Sequence, residues 1–287
     1  ARERSADAHE AESLADRRSA PGRPGNCQNR TRMKPTPPGL ALALPGRPKP
    51  YVMAHRGNRT ACPENTLASF RQALEDGADV LETDLWLSAD GVFVCIHDAT
   101  LDRTTDATGL VETRSLAELK VLSAGGRRPE FASERIPTLA ELCALLPSDR
   151  GLALELKSDR FLDPEVGRRL AGELEALGVL ERCVVLSFSR ARLEACRRGA
   201  PRLPTGWITL KGARPVPGTE LLGPWWPLLL LNPLYVALAH RRGQAVAPLD
   251  PSPGRRLWLW RLLRCDAVLT DDPGETVRQL GRRPPRI

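Results

Sequence analysis

The stretch Val80-Leu-Glu-Thr-Asp-Leu-Trp-Leu-Ser-Ala-Asp-Gly-Val-Phe-Val-Cys-Ile-His-Asp98 holds two apolar runs, Val80–Leu87 and Val92–Ile96, with only Ser88-Ala-Asp-Gly91 between them. A parallel crossover needs a dozen residues or more, so the two runs must meet as an antiparallel hairpin. Asp-Gly is a strong two-residue turn signal. With Asp90 and Gly91 as the turn, Ala89 pairs with Val92 and His97 comes to lie opposite Asp84; a longer loop shifts it slightly toward Glu82. Glu82 and Asp84 are two apart on a strand, so they share a face. Their surroundings are apolar, and two carboxylates on one buried face repel unless a metal or a basic residue sits between them. Glu155, in Leu154-Glu-Leu-Lys157, ends another apolar run with Lys157 on its side. Three oxygen donors without a thiolate suit one hard divalent cation, Mg²⁺ or Ca²⁺. Paired, exposed strand-end charges are the alternative for these carboxylates.

Outward from this hairpin, short apolar runs alternate with helical patterns. Further strands are expected at Tyr51–Ala54, Leu152–Leu156, Cys183–Leu186, Thr205–Thr209, Leu228–Leu231, Gln244–Leu249 and Ala267–Thr270. Thr66–Asp76 places Leu67, Phe70 and Leu74 on one helical face and stops at Gly77. Thr138-Leu-Ala-Glu141 is a capping box, and Asp163-Pro164 opens a helix that Gly178 ends. The alternation fits an α/β chain, either a (β/α)8 TIM-type barrel over residues 50–287 or an open doubly wound sheet. Nearly forty residues after His97 have little barrel character and form an inserted segment after the third strand, about 99–135.

Composition narrows the function. Ten of the 42 Lys+Arg and five of the 35 Asp+Glu lie in residues 1–50, leaving 32 and 30 for the remainder. The net charge of +7 is therefore mostly a property of the N-terminal segment, and nucleic-acid binding is not expected. That segment, 1–49, has no aromatic residue and is rich in Pro and Arg, so it is expected to be disordered. It lacks a signal-peptide pattern, and Met33 is a candidate start. The seven cysteines have no C-x-x-C spacing, which fits neither a zinc site nor a disulfide framework and points to a reducing, cytoplasmic setting. Leu221–Ala239 is apolar but broken by Gly223, Pro224, Pro227, Asn232 and Pro233, too interrupted for a transmembrane span.

Further motifs follow in order: His55-Arg-Gly57, Pro63-Glu-Asn-Thr66, Glu82-x-Asp84, His97-Asp98, Ile136-Pro-Thr-Leu139, Glu155-x-Lys157, Ser187-Phe188 and Cys265-Asp-Ala-Val-Leu-Thr-Asp-Asp-Pro273. In this order and spacing the chain resembles the glycerophosphodiester phosphodiesterase family from about Tyr51 to Leu280. The resemblance implies a (β/α)8 barrel that hydrolyses small-molecule glycerophosphodiesters to glycerol 3-phosphate and an alcohol. It implies His55 and His97 as the acid/base pair without fixing their roles; His97 is taken here as the acid. It further implies Glu82, Asp84 and Glu155 as metal ligands, Arg56 and Lys157 as phosphate contacts, and Glu64 and Asn65 as residues orienting the site. The inserted segment resembles one that helps form a glycerol pocket. Val246-Ala-Pro-Leu-Asp250 departs from the family's Val-Trp-Thr-Val-Asn strand, which bears on substrate shape. Two other functions remain open to such a barrel: a lysophospholipase D or sphingomyelinase D-like reaction forming a cyclic phosphate, and non-catalytic binding of a phosphodiester. The alcohol group and the oligomeric state are not set by the sequence.

Overall fold

A computed structural model describes residues 43–283. Met33, His9, Cys27 and the expected disorder up to residue 42 lie outside it. Nine strands are described: β1 (Tyr51–His55), β2 (Val80–Leu87), β3 (Phe93–Cys95), β4 (Gly151–Leu156), β5 (Cys183–Ser187), β6 (Thr205–Thr209), β7 (Leu221–Pro224), β8 (Ala245–Val246) and β9 (Ala267–Thr270). Eight of them are parallel and run β8-β7-β6-β5-β4-β2-β1-β9, while β3 pairs antiparallel with β2 alone. The sheet is a nearly closed (β/α)8 barrel rather than a doubly wound sheet. The seam between β8 and β9 is held by Asp266, whose carboxylate accepts from the Val246 N–H at 2.8 Å and whose own N–H donates to the Val246 carbonyl at 2.8 Å.

The helices begin where side chains satisfy their first N–H groups. Thr66 caps α1 (Leu67–Glu75), which buries Phe70 and Ala73. Thr138 and Glu141 form the expected capping box of α3 (Leu139–Leu145), and Ser115 with Glu118 forms another on α2 (Leu116–Lys120). Asp163 caps α4 (Pro164–Ala176) with Pro164 at its first position, and Ser189 caps α5 (Arg190–Gly199). Between β3 and α3 the inserted segment carries α2 and packs a small core of its own from Val94, Ile96, Leu101, Val111, Leu119 and Ile136.

Three expectations are corrected. The strand expected at Leu228–Leu231 is a helix, α6 (Pro227–Leu231), and β7 lies upstream at Leu221–Pro224. A run of four leucines carries no period, whereas Pro227 starts a helix readily because its missing N–H is not needed there. Next, the hairpin loop has three residues, not two: Leu87 pairs with Phe93 and Leu85 with Cys95. Ser88 brackets the loop, accepting the Val92 N–H on Oγ at 2.9 Å, and Gly91 supplies the left-handed φ of 83°. The register therefore sets His97 against Thr83, with Ile96 donating to the Asp84 carbonyl at 3.1 Å. A one-residue slip turns a side chain to the other face, but the ladder ends at Cys95 and the Trp86 indole holds the His97 carbonyl at 3.0 Å where the chain bends away.

Finally, residues 43–49 pack on the barrel rather than continuing a disordered tail. Leu44 is 3% exposed and joins Tyr51, Met53 and Val80 in the barrel interior. Arg47 reaches the buried Asp79 carboxylate at 2.7 Å, and Lys49 meets Asp266 at 2.6 Å. Asp79 also accepts from the Val52 N–H at 2.8 Å and from Arg282 at 3.0 Å, so it gathers both ends of the described chain. Burying one Leu contributes about 2 kcal/mol. A chain starting at Pro50 is thus expected to melt about 4–8 °C below one starting at Ala43, on a scale of roughly 2–4 °C per kcal/mol. Equal melting temperatures in calorimetry would show the segment to be dispensable.

Among the described residues six cysteines are free and buried. No described helix is long and apolar enough to cross a membrane.

Candidate active site

Three strands bring the acidic residues together. Parallel pairing sets His55 of β1 beside Glu82 of β2, and Asp84 of β2 beside Glu155 of β4. Glu82, Asp84 and Glu155 are all buried, each offering one carboxylate oxygen within 4.8 Å of the others. They form an acidic cluster able to hold a metal ion. Burial and the facing Asp84 and Glu155 charges push Glu82 well above the usual carboxylate range. Burial likewise raises Glu155, with Lys157 opposing.

Two cations partly offset this repulsion. Lys157 Nζ lies 2.8 Å from Glu155 and 3.2 Å from Asp84, so it bridges two of the three carboxylates. Arg56 places Nε 3.1 Å from Asp84 and donates its backbone N–H to Glu82 at 3.0 Å. The Asn65 amide donates to Asp84 at 3.0 Å and accepts from the Thr83 hydroxyl at 2.7 Å. Arg56 and Asn65 both take left-handed backbone, φ 57° and 55°, an uncommon state for residues with a Cβ that recurs at functional sites. Asp84 Oδ1 is fully buried and accepts no well-aligned hydrogen bond, its near polar neighbour being the Lys157 ammonium at 3.2 Å. The all-oxygen donor set of three converging carboxylates fits a hard cation.

Each sequence-predicted histidine is held by a carboxylate through Nδ1, which leaves Nε2 free. His55 Nδ1 is 2.7 Å from Asp271, just past β9, and His97 Nδ1 is 2.6 Å from Asp98. Burial holds His97 below the ordinary imidazole range, with the Asp84 charge opposing. Asp98 accepts from Arg103 at 2.6 Å, and Arg103 donates to Glu64 at 2.7 Å. Glu64 also receives Arg56 at 3.0 Å and Arg59 at 3.1 Å. Burial alone would raise Glu64; the Arg103 hydrogen bond and the three guanidinium charges bring it down to about 2.

The structure thus brings His55, Arg56, Glu64, Asn65, Glu82, Asp84, His97, Glu155 and Lys157 into one network. Sequence reasoning assigned no place in the site to Asp98, Arg103 or Asp271, although each lies in a motif or in the inserted segment. Of the departing Val246–Asp250 stretch, Ala247 and Pro248 line a small apolar cavity of about 30 Å³ with Met53, Leu186, Ile208 and Leu221. Asp250 points elsewhere, accepting from Arg256 and from the Trp260 indole at 3.0 Å.

Comparison with known proteins identifies a family. The model of the glycerophosphoryl diester phosphodiesterase family matches residues 55–275. A glycerophosphodiester phosphodiesterase of Caldanaerobacter subterraneus subsp. tengcongensis is 35% identical over 253 residues, covering 82% of this chain and 99% of that protein. A probable glycerophosphodiester phosphodiesterase 1 of Mycobacterium tuberculosis is 36% identical over 220 residues, 69% of this chain and 80% of that protein. Among solved structures, an Oleispira antarctica phosphodiesterase in complex with the product sn-glycerol-3-phosphate superposes with a TM-score of 0.71 at 28% identity, covering 81% and 97% of the two chains. A glycerophosphoryl diester phosphodiesterase structure from Silicibacter pomeroyi gives 0.70 at 28% identity, covering 82% and 96%. Matched by the family model over residues 55–275 and by a relative 35% identical over 99% of its own length, this chain belongs to the glycerophosphoryl diester phosphodiesterase family.

Proposed function

We propose that this protein hydrolyses glycerophosphodiesters to glycerol 3-phosphate and an alcohol, with one divalent cation held by Glu82, Asp84 and Glu155. The observation that carries this reading is the pair of imidazoles, each fixed through Nδ1 by a carboxylate, beside three converging buried carboxylates. An ion held by these carboxylates would supply positive charge for the phosphate and offset the repulsion within the trio. Arg56 and Lys157, already at the rim of the cluster, hold the remaining phosphate charge.

The chain's own residues move the protons. One imidazole Nε2 takes a proton from water as its oxygen bonds to phosphorus; the other gives a proton to the alkoxide as the P–O bond to the alcohol breaks. Because burial favours neutral His97, we assign it the base and His55 the acid, the reverse of the sequence-based expectation. Asp98 and Asp271 fix the tautomer by accepting from Nδ1.

A screen against glycerophosphocholine, -ethanolamine, -glycerol and -inositol tests the function. Release of glycerol 3-phosphate from at least one, lost with EDTA and restored by Mg²⁺ or Ca²⁺, is the expected result. A cyclic phosphate product would replace hydrolysis by the lyase reaction, and no turnover of any diester would leave a binding barrel.

A further inference from the structure

Beside the histidines the inserted segment builds a second recess. Arg59, Arg103, Arg127 and Arg128 line it together with Glu64 and the Ala124–Gly126 backbone, and it encloses about 250 Å³. Glu64, Thr104 and Ala124 also line the crevice that holds His97 and Asn65, and Arg59 lies 3.7 Å from Asp271, the carboxylate that holds His55, so the recess meets the site at both histidines, including the one assigned to the leaving alcohol.

This recess has a defined architecture. The Gly125 carbonyl accepts the Arg128 N–H at 3.1 Å, closing a turn with Gly126 at φ 61°. A Cβ on Gly125 would come within 2.5 Å of the Phe131 carbonyl oxygen, so the turn folds this tightly only without one. Arg128 donates to the carbonyls of Arg59 and Thr60 at 3.5 and 3.3 Å, tying the turn to the loop after β1.

Its charge is only partly compensated. Glu64 is the one carboxylate of the wall, shared by Arg56, Arg59 and Arg103, while Arg103 also meets Asp98 at 2.6 Å and Arg59 lies 3.7 Å from Asp271. Arg127 and Arg128 form no ion pair among the described residues, and Arg127 is exposed. In a glycerophosphodiester the glycerol is neutral and the scissile phosphate carries one charge. Any further anion must therefore come with the alcohol.

We propose that the recess receives a phosphate monoester carried on the alcohol of the diester, making phosphorylated alcohols the preferred leaving groups. The inference rests on the hydrolytic reading of the adjoining site. A phosphate monoester brings close to two charges and three acceptor oxygens, which several guanidinium forks can engage at once. A zwitterionic or neutral alcohol leaves those donors to water.

The test is a matched substrate pair, glycerophosphoinositol with and without one ring phosphate. The wild-type protein is expected to favour the phosphorylated member at least tenfold in kcat/KM, and the preference should shrink as salt rises. Arg127→Gln, an exposed change with little folding risk, and the double variant R127Q/R128Q are expected to cut that preference at least fivefold. No wild-type preference, or equal losses on both substrates, would overturn the proposal. If neither substrate is turned over, the hydrolytic reading fails, and calorimetric titration with the phosphorylated diester still decides the recess. Binding at least tenfold weaker in R127Q/R128Q supports the recess; equal affinity refutes it.

Discussion

His55→Ala and His97→Ala each lower kcat by at least about two orders of magnitude, the usual loss on removing a positioned acid or base. The double variant is less than additively worse, because both groups serve one proton-transfer cycle. A nitrophenyl phosphodiester separates their roles. Its leaving group departs without protonation, so His55→Ala regains most of its turnover on this substrate while His97→Ala does not. Rescue of His97→Ala alone would restore the opposite assignment. Near-native turnover of both variants on glycerophosphodiesters would move the active site elsewhere. The carboxylates behind the rings give a milder version of the same result: Asp271→Asn or Asp98→Asn leaves the imidazole in place but loosens its tautomer and orientation.

The second large effect concerns the acidic trio, and it has two opposite signs. Glu82→Gln or Asp84→Asn weakens divalent-ion binding at least about 100-fold, the scale of removing one partner from a buried charge pair. The same Glu82→Gln change is expected to raise the melting temperature of the metal-free protein at neutral pH. Burial and its acidic neighbours raise Glu82 in the folded state, so it binds a proton more tightly folded than unfolded. Stability from that group is complete below the unfolded carboxylate range and is lost as pH rises through the raised folded value. Glutamine removes that loss. Melting curves at pH 7 with EDTA and with Mg²⁺ or Ca²⁺ read both signs. Full turnover after exhaustive chelation would end the metal assignment.

How much of this was legible depended on the distance over which each feature is set. Glu82 and Asp84 share a face because a strand repeats every two residues, a strictly local rule, and the capping box of α3 is equally local. The pairing of Asp84 with Glu155 is long-range: it depends on how β4 docks against β2, and no short pattern encodes that. The hairpin illustrates the border between the two. Its existence followed from four intervening residues, but its register turned on whether Ser88 joins the strand or the loop. Its hydroxyl decides that by accepting the Val92 N–H. Asp271 escaped because a carboxylate after the last strand reaches His55 at the end of the first only once the barrel closes. Leu44 and Arg47 escaped because a Pro-rich segment without aromatics has the composition of a tail, whereas one leucine and one guanidinium suffice to seat it when a cavity and a buried carboxylate await them.

Asp79 takes Arg47 from before the first strand and Arg282 from after the last helix, and Arg282 also donates to the carbonyls of Pro48 and Pro50 at 2.8 Å. The described residues therefore run almost full circle, with Pro48 and Pro50 in direct contact with Arg282. Residue 283 joined to residue 43 by a short linker, with new termini opened at the exposed Arg241–Arg242 turn, would keep every strand beside its present neighbours. Such a circular permutant carries β8 and β9 at its start, so the seam that Asp266 now closes between late-arriving strands would be made first during synthesis.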